Sequence, residues 1–206
     1  TRQLWRAYKD NVKGFWEVGS TYSNSVSLEQ ANDRTSFRTS LTYLDNEWMM
    51  PNTGFNRFNF AGSLSHKLND RLKISTKLAY SRMKSDNLPA TGYNNQSISY
   101  FMIFQNPNVD LKWYQPIWKN GQEQIDQIHP FSSFIDNPYL IAYEMLNGVD
   151  KRTISGSMTV DYNFNNHFSM MFRSGIEVLN EERTTKRPWS SANYRKGFYR
   201  EQFITN

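Results

Sequence analysis

Arg71-Leu72-Lys73-Ile74-Ser75-Thr76-Lys77-Leu78-Ala79-Tyr80-Ser81 decides how this chain folds. Leu72, Ile74, Thr76, Leu78 and Tyr80 take one parity; Arg71, Lys73, Ser75, Lys77 and Ser81 take the other. A β-strand sends successive side chains to opposite faces. The stretch therefore reads as a strand with one apolar and one polar side.

Five further stretches repeat the pattern. In residues 16–28, Trp16, Val18, Tyr22, Val26 and Leu28 oppose Glu17, Gly19, Thr21, Ser23, Ser25 and Ser27. Residues 35–44 set Phe37, Leu41 and Tyr43 against Ser36, Arg38, Ser40 and Thr42. Residues 55–68 set Phe58, Phe60, Gly62, Leu64 and Leu68 against Arg57, Asn59, Ser63, Ser65 and Lys67. Later come 152–164, with Ile154, Met158, Val160, Tyr162 and Phe164 on the apolar parity, and 167–179, with Phe168, Met170, Phe172, Ile176 and Val178. In the last stretch Arg173 and Glu177 oppose them, and Met171 breaks the pattern.

The joints alternate in length. Asn32-Asp33, Asn69-Asp70 and Asn165-Asn166 read as tight turns, built from residue types that tolerate positive φ. Between them lie a loop at 45–54 and a connection at 84–150. The strands so read are about 10 to 14 residues long. Globular strands run nearer five or six, whereas a tilted membrane-crossing strand takes about 9 to 11. Short turns alternating with long loops are the habit of outer-membrane barrels.

Composition fits a barrel wall. Only 38% of the 206 residues are hydrophobic, because only one face of each strand needs to be. Aromatics reach 16%, and their places near strand ends suit interfacial girdles. No run of about 18 apolar residues predicts a membrane helix. Thr1-Arg2-Gln3-Leu4 is not a signal peptide, so the start of the natural chain is expected to lie further upstream. Cysteine is absent, which excludes disulfides and thiolate metal sites. The net charge of +5 is spread along the chain, so nucleic-acid binding is not expected.

The expected fold is all-β: an antiparallel transmembrane β-barrel segment of about six long strands. Six strands cannot close, and open edges in lipid leave backbone groups unsatisfied, so a larger barrel is implied. The expected organisation is a lead-in at 1–14 and four strands in 15–83. A long extracellular loop with short helices follows at 84–150, then two strands in 151–181 and the start of the next extracellular loop at 182–206. Arg38, Arg57, Lys73, Lys77, Arg173 and Glu177 fall on the wet parity and are expected to face the lumen.

No catalytic constellation stands out, so an enzyme is not expected. His66, His129 and His167 are far apart and offer no metal-ligand spacing; no metal or cofactor is expected. The long connection has a ligand-like composition. Tyr93, Trp113, Tyr114 and Trp118 lie among asparagines and glutamines, and flat rings beside amides suit sugars. The same rings could pack the loop's own core or a partner. Helical spacing at Ile98, Phe101, Met102 and Gln105, and a cap at Asn137-Pro138 with a stop at Gly148, predict local folding.

Particular residues carry a family resemblance. Phe15-Trp16-Glu17-Val18-Gly19-Ser20-Thr21, Arg34-Thr35-Ser36-Phe37-Arg38-Thr39-Ser40 and Met50-Pro51-Asn52-Thr53-Gly54-Phe55-Asn56-Arg57-Phe58-Asn59-Phe60 are three such segments. Ser65-His66-Lys67-Leu68-Asn69-Asp70-Arg71-Leu72-Lys73 and Asn137-Pro138-Tyr139 before Arg152-Thr153-Ile154 are two more. Their order and spacing resemble the early barrel of SusC/RagA-type TonB-dependent transporters. The first tight turn departs from the family, with Gln30-Ala31-Asn32 in place of a small-residue pair.

The resemblance implies a plugged barrel of the 22-stranded class in the outer membrane of a Bacteroidetes-type bacterium. It implies TonB-dependent uptake of glycan oligomers or peptides, with a SusD-like surface lipoprotein as cap. The plug and the TonB-contacting segment would precede Thr1. Two other readings stay open on the residues alone: a soluble lectin-like β-sandwich that binds glycans, and a smaller outer-membrane barrel that does not use TonB.

Overall fold

The computed structural model describes residues 4–92, 97–131 and 134–192, and the backbone alone of 200–205. One antiparallel sheet dominates it. β1 (Ser20–Ala31), β2 (Thr35–Glu47), β3 (Gly54–Lys67), β4 (Leu72–Asn87), β5 (Asn147–Asn163) and β6 (Ser169–Arg187) pair in chain order. β7 (Arg200–Thr205) adds a short seventh strand along β6. The six long strands are those expected; the seventh lies in 182–206, which was read as loop.

Register follows the parity pattern. One row across the sheet reads Val26, Leu41, Phe60, Tyr80, Ile154 and Val178. The row beside it on the opposite face reads Ser27, Ser40, Ala61, Ala79, Ser155 and Glu177. Slipping any pair by one residue would turn a whole apolar set to the other face.

The three tight turns form where expected, but by another device. None of their asparagines has positive φ. Each side chain instead accepts two backbone N–H groups. Asn32 Oδ1 takes those of Arg34 at 3.0 Å and Thr35 at 2.7 Å. Asn69 Oδ1 takes Arg71 and Leu72, both at 2.9 Å. Asn165 Oδ1 takes His167 at 2.8 Å and Phe168 at 3.0 Å. The side chain imitates a backbone turn, so no left-handed residue is needed.

At the other end the strands run further than the alternation. β4 continues to Asn87, β5 begins at Asn147 and β6 reaches Arg187, so the connection is 88–146 rather than 84–150. The apolar parity gives way there to Asp45, Asn56, Lys84, Asp150 and Glu182, which lie in one row. With charged and amide residues on the parity that is apolar elsewhere, no apolar–polar alternation marks the strand at that level. β1 is shorter at its start than the sequence implied. A 3₁₀ turn at Lys13–Phe15 precedes it, and Phe15 and Trp16 pack against the connection. At the start of β3 a Cβ on Gly54 would stand 2.5 Å from Asn46 O, so the backbones meet only because the residue is glycine.

The hydrophobic core is not in the sheet. It lies in the connection, with two helical turns at its centre. α1 (Ile98–Phe104) and α2 (Pro138–Tyr143) sit where helical spacing and the Asn137-Pro138 cap placed them. Asn137 Oδ1 caps α2 by accepting from Tyr139 N at 2.9 Å. Gly148 does not stop this helix: α2 ends at Tyr143 and Gly148 is already in β5. Ile98, Phe101, Leu111, Leu140, Ile141 and Met145 are buried, joined by Phe15 from the lead-in and Met50 from the β2–β3 loop. The strands, by contrast, leave Val26, Leu41, Leu78, Met158, Phe172 and Ile176 exposed.

Candidate functional site

The sheet presents two chemically distinct faces. Its apolar face has no second sheet over it among the described residues. Phe58 and Tyr80 meet at 6.3 Å on that face, and Tyr43 is registered beside Phe58. Just beyond this aromatic row, Arg82 and Arg152 both grip Asp150. Arg82 Nη2 donates at 2.7 Å and Arg152 Nη2 at 2.8 Å to the same carboxylate oxygen. Lys84 pairs with Asp86 at 3.5 Å. Charges here are matched with one another.

The sheet bends toward its polar face. A single open concavity of about 810 Å³ touches both Arg38 on β2 and Glu177 on β6, four strands apart in the sheet. A second, of about 710 Å³, is lined by Glu29, Arg38, Lys73 and Lys77. Small residues such as Ser40, Ala61, Ser63, Ala79 and Ser155 form the floor. Of the residues read onto this face, Arg38, Lys73, Lys77, Arg173 and Glu177 share its parity by register. So does Arg57, whose guanidinium lies 5.3 Å from the Phe55 ring and 3.5 Å from Met83 Sδ.

The connection is held by a buried polar network that the residue pattern alone does not reveal. Asp136 is fully buried and accepts from Gln127 Nε2 at 2.7 Å, Ala192 N at 2.7 Å and Ser191 Oγ at 3.1 Å. Gln127 Nε2 also reaches Ser190 O at 2.6 Å, and Gln127 Oε1 accepts from Asn137 N at 2.8 Å. Asn137 Nδ2 donates to Tyr114 O at 2.9 Å. The chain after β6 is thereby fastened to the connection after β4. Burial pushes the Asp136 carboxyl up from its ordinary value; its three hydrogen bonds and the nearby His129 pull it back.

A second set of amides ties the module to the sheet. Asn52 and Asn87 both donate to Ala142 O, at 3.0 and 3.2 Å. Asn147 N donates to Asn87 Oδ1 at 3.1 Å, and Arg187 Nη2 to Asn147 Oδ1 at 2.7 Å. At the lead-in, Asn11 donates to Val109 O at 2.6 Å and accepts from Leu111 N at 2.9 Å. Only Asn137, before a proline, had a local signature. The rest are single polar residues whose partners are distant in sequence.

The four aromatics singled out in the connection have different environments. Tyr93 lies outside the described residues. Tyr114 is 7% exposed and sits edge-on to Phe101 in the core; burial pushes its phenol up. Trp118 packs against that core and bridges to Gln127. Trp113 is 57% exposed, its ring edge-on to Tyr8 at 5.7 Å. Trp113 and Tyr114 are adjacent on one 3₁₀ turn, so one points out and its neighbour in.

Among the described residues no cluster of His, Asp and Glu could hold a metal ion. No helix is long and apolar enough to cross a membrane, which says nothing of strands. No family model matches the chain. Over 74 residues it is 31% identical to TonB-dependent receptor P26 of Formosa agariphila. That similarity covers 36% of this chain and 7% of the receptor's length. The chain is thus similar to a small part of a much longer TonB-dependent receptor.

Proposed function

We propose that this chain is a wall segment of a TonB-dependent outer-membrane importer. The observation that carries the reading is the single sheet of long strands, apolar on its uncovered face and polar on its concave one. Lipid would cover the apolar face, and further strands would pair with the β1 and β7 edges. The similarity to a TonB-dependent receptor supports import rather than catalysis. The one-sheet architecture speaks against a lectin-like sandwich, which needs a second sheet facing the first.

In this reading Arg38, Arg57, Lys73, Lys77, Arg173 and Glu177 face the lumen. The connection stands at the extracellular mouth, opposite the three Asn-built turns. The cargo is a glycan oligomer or a peptide, and a SusD-like lipoprotein caps the mouth, in line with the SusC/RagA resemblance. Trp113 is the aromatic placed to meet cargo or cap; Tyr114 and Trp118 hold its turn in position.

Topology is tested by single cysteines in the full-length protein on whole cells. A membrane-impermeant thiol reagent should label a cysteine at Asn120 and leave one at Asn69 or Asn165 unlabelled. The reverse pattern would overturn the orientation. Function is tested with W113A. Loss of oligosaccharide binding to the purified transporter would assign the ring to cargo. Retained binding with less co-purified lipoprotein would assign it to the cap.

A further inference from the structure

We infer, on the importer reading just given, that the cargo is an anionic oligosaccharide, one carrying carboxylate or sulfate groups. Charges on the two faces of the sheet are managed in opposite ways. On the apolar face the cations Arg82, Arg152 and Lys84 are all ion-paired: Arg82 and Arg152 share Asp150, and Lys84 pairs with Asp86. On the concave face Lys73, Lys77 and Arg173 make no salt bridge with any described residue. Arg173 donates only to the neutral Thr159 Oγ1, at 3.2 Å. Arg57 rests on a ring and a thioether. Arg38 reaches Glu29 at 3.9 Å, with both side chains largely in solvent, a contact of little strength.

Carboxylates on this face do not offset the cations. Glu181 is taken by Lys151 and Arg183. Asp161 is registered opposite Lys73 without pairing to it, and Glu177 stands at the far end of the larger concavity. The cations rise from a floor of serine and alanine, which cannot shield them. A concave wall with an excess of one sign concentrates the opposite sign in front of it. The middle of this face also lacks aromatic rings: the row from Ser27 to Glu177 and the neighbouring row of Glu29, Arg38, Ser63, Lys77, Ser157 and Gly175 contain none. Stacking on a neutral sugar ring is not what this part of the wall offers. Attraction of negative charge is.

The test uses cells expressing the full-length transporter and a pool of fluorescently labelled oligosaccharides. Half are acidic, prepared from pectin, hyaluronan and dextran sulfate; half are neutral, prepared from cellulose, xylan and dextran. Wild type should accumulate the acidic half about tenfold over the neutral half, and less so as salt is raised. The variant K73Q/K77Q/R173Q should lose about tenfold of that preference and keep its neutral uptake. K84Q, on the other face, should behave as wild type. Uptake that is blind to charge or favours the neutral half overturns the inference and leaves the importer standing. So does a triple variant that slows both halves equally, which would mean that these cations bind another part of the protein. Uptake of neither half, with the transporter present in the outer membrane, overturns the glycan-importer reading and the inference with it.

Discussion

Leu78 and Lys77 are neighbours on β4 that face opposite sides of the sheet, and each is at home only on its own side. If the apolar side meets lipid, arginine in place of Leu78 costs about 2 to 4 kcal/mol near the bilayer midplane, whereas arginine at Ser75 is tolerated. Denaturant-dependent folding of the full-length barrel into lipid measures both. Spin labels at the two β4 positions should differ in accessibility to lipid-borne oxygen; equal values would sink the assignment. Asp136 is the other informative residue. Replacing it by alanine takes the carboxylate acceptor from Ala192 N and Ser191 Oγ and one of two acceptors from Gln127 Nε2, which keeps Ser190 O, at about 1 to 3 kcal/mol for each donor left dry. D136N keeps an acceptor oxygen and should cost much less. Because burial raises the Asp136 pKa, the folded module holds its proton more tightly than the unfolded chain does. That contribution to stability is complete below the ordinary carboxylate range and is lost as pH rises through the raised folded value. Amide exchange at Ala192 should therefore quicken as pH rises through that window, after correction for intrinsic rates, and D136N should abolish the step.

The elements were legible to different depths. The paired stretches of β2 to β6 could be read because alternation is a local property of an extended backbone, and β4 between Leu72 and Tyr80 is its clearest case. The ends of the same strands could not, because beyond Tyr80 and before Ile154 the apolar parity passes to Arg82, Lys84, Asp150 and Arg152 and the periodic signal vanishes. Trp16 kept the parity of β1, yet tertiary packing drew it into the connection's core. The turns were found for an incomplete reason: asparagine matters there as an acceptor of two N–H groups. Asn69→Ala should cost about 1 kcal/mol from the lost hydrogen bonds, read as a lower denaturant midpoint, whereas Asn69→Asp should be nearly neutral. The core of the connection is more sensitive. Phe101 is fully buried between α1 and its surroundings, and Phe101→Ala should cost about 3 to 5 kcal/mol locally. The expected readout is protease sensitivity confined to 88–146 while the strands stay protected.

At the scale of the molecule, the apolar surface divides in two. One part is buried in a compact module formed by the lead-in, the β2–β3 loop and the connection; the other lies bare on the sheet. A sheet with a bare apolar face and two open edges is an aggregation template in water. The isolated 206-residue chain should therefore need detergent or lipid to stay dispersed. A monomeric profile with a sharp melt in plain buffer would count against the membrane reading. The sequence by itself determined that this is an antiparallel sheet with one wet and one apolar face, because each strand writes its two faces into neighbouring residues. Only the tertiary structure decided which aromatics are covered, where the strands end and how Asp136 joins the chain after β6 to the connection. Those outcomes depend on contacts such as Asp136 with Ser191, 55 residues apart, and no local periodicity encodes a partner at that distance.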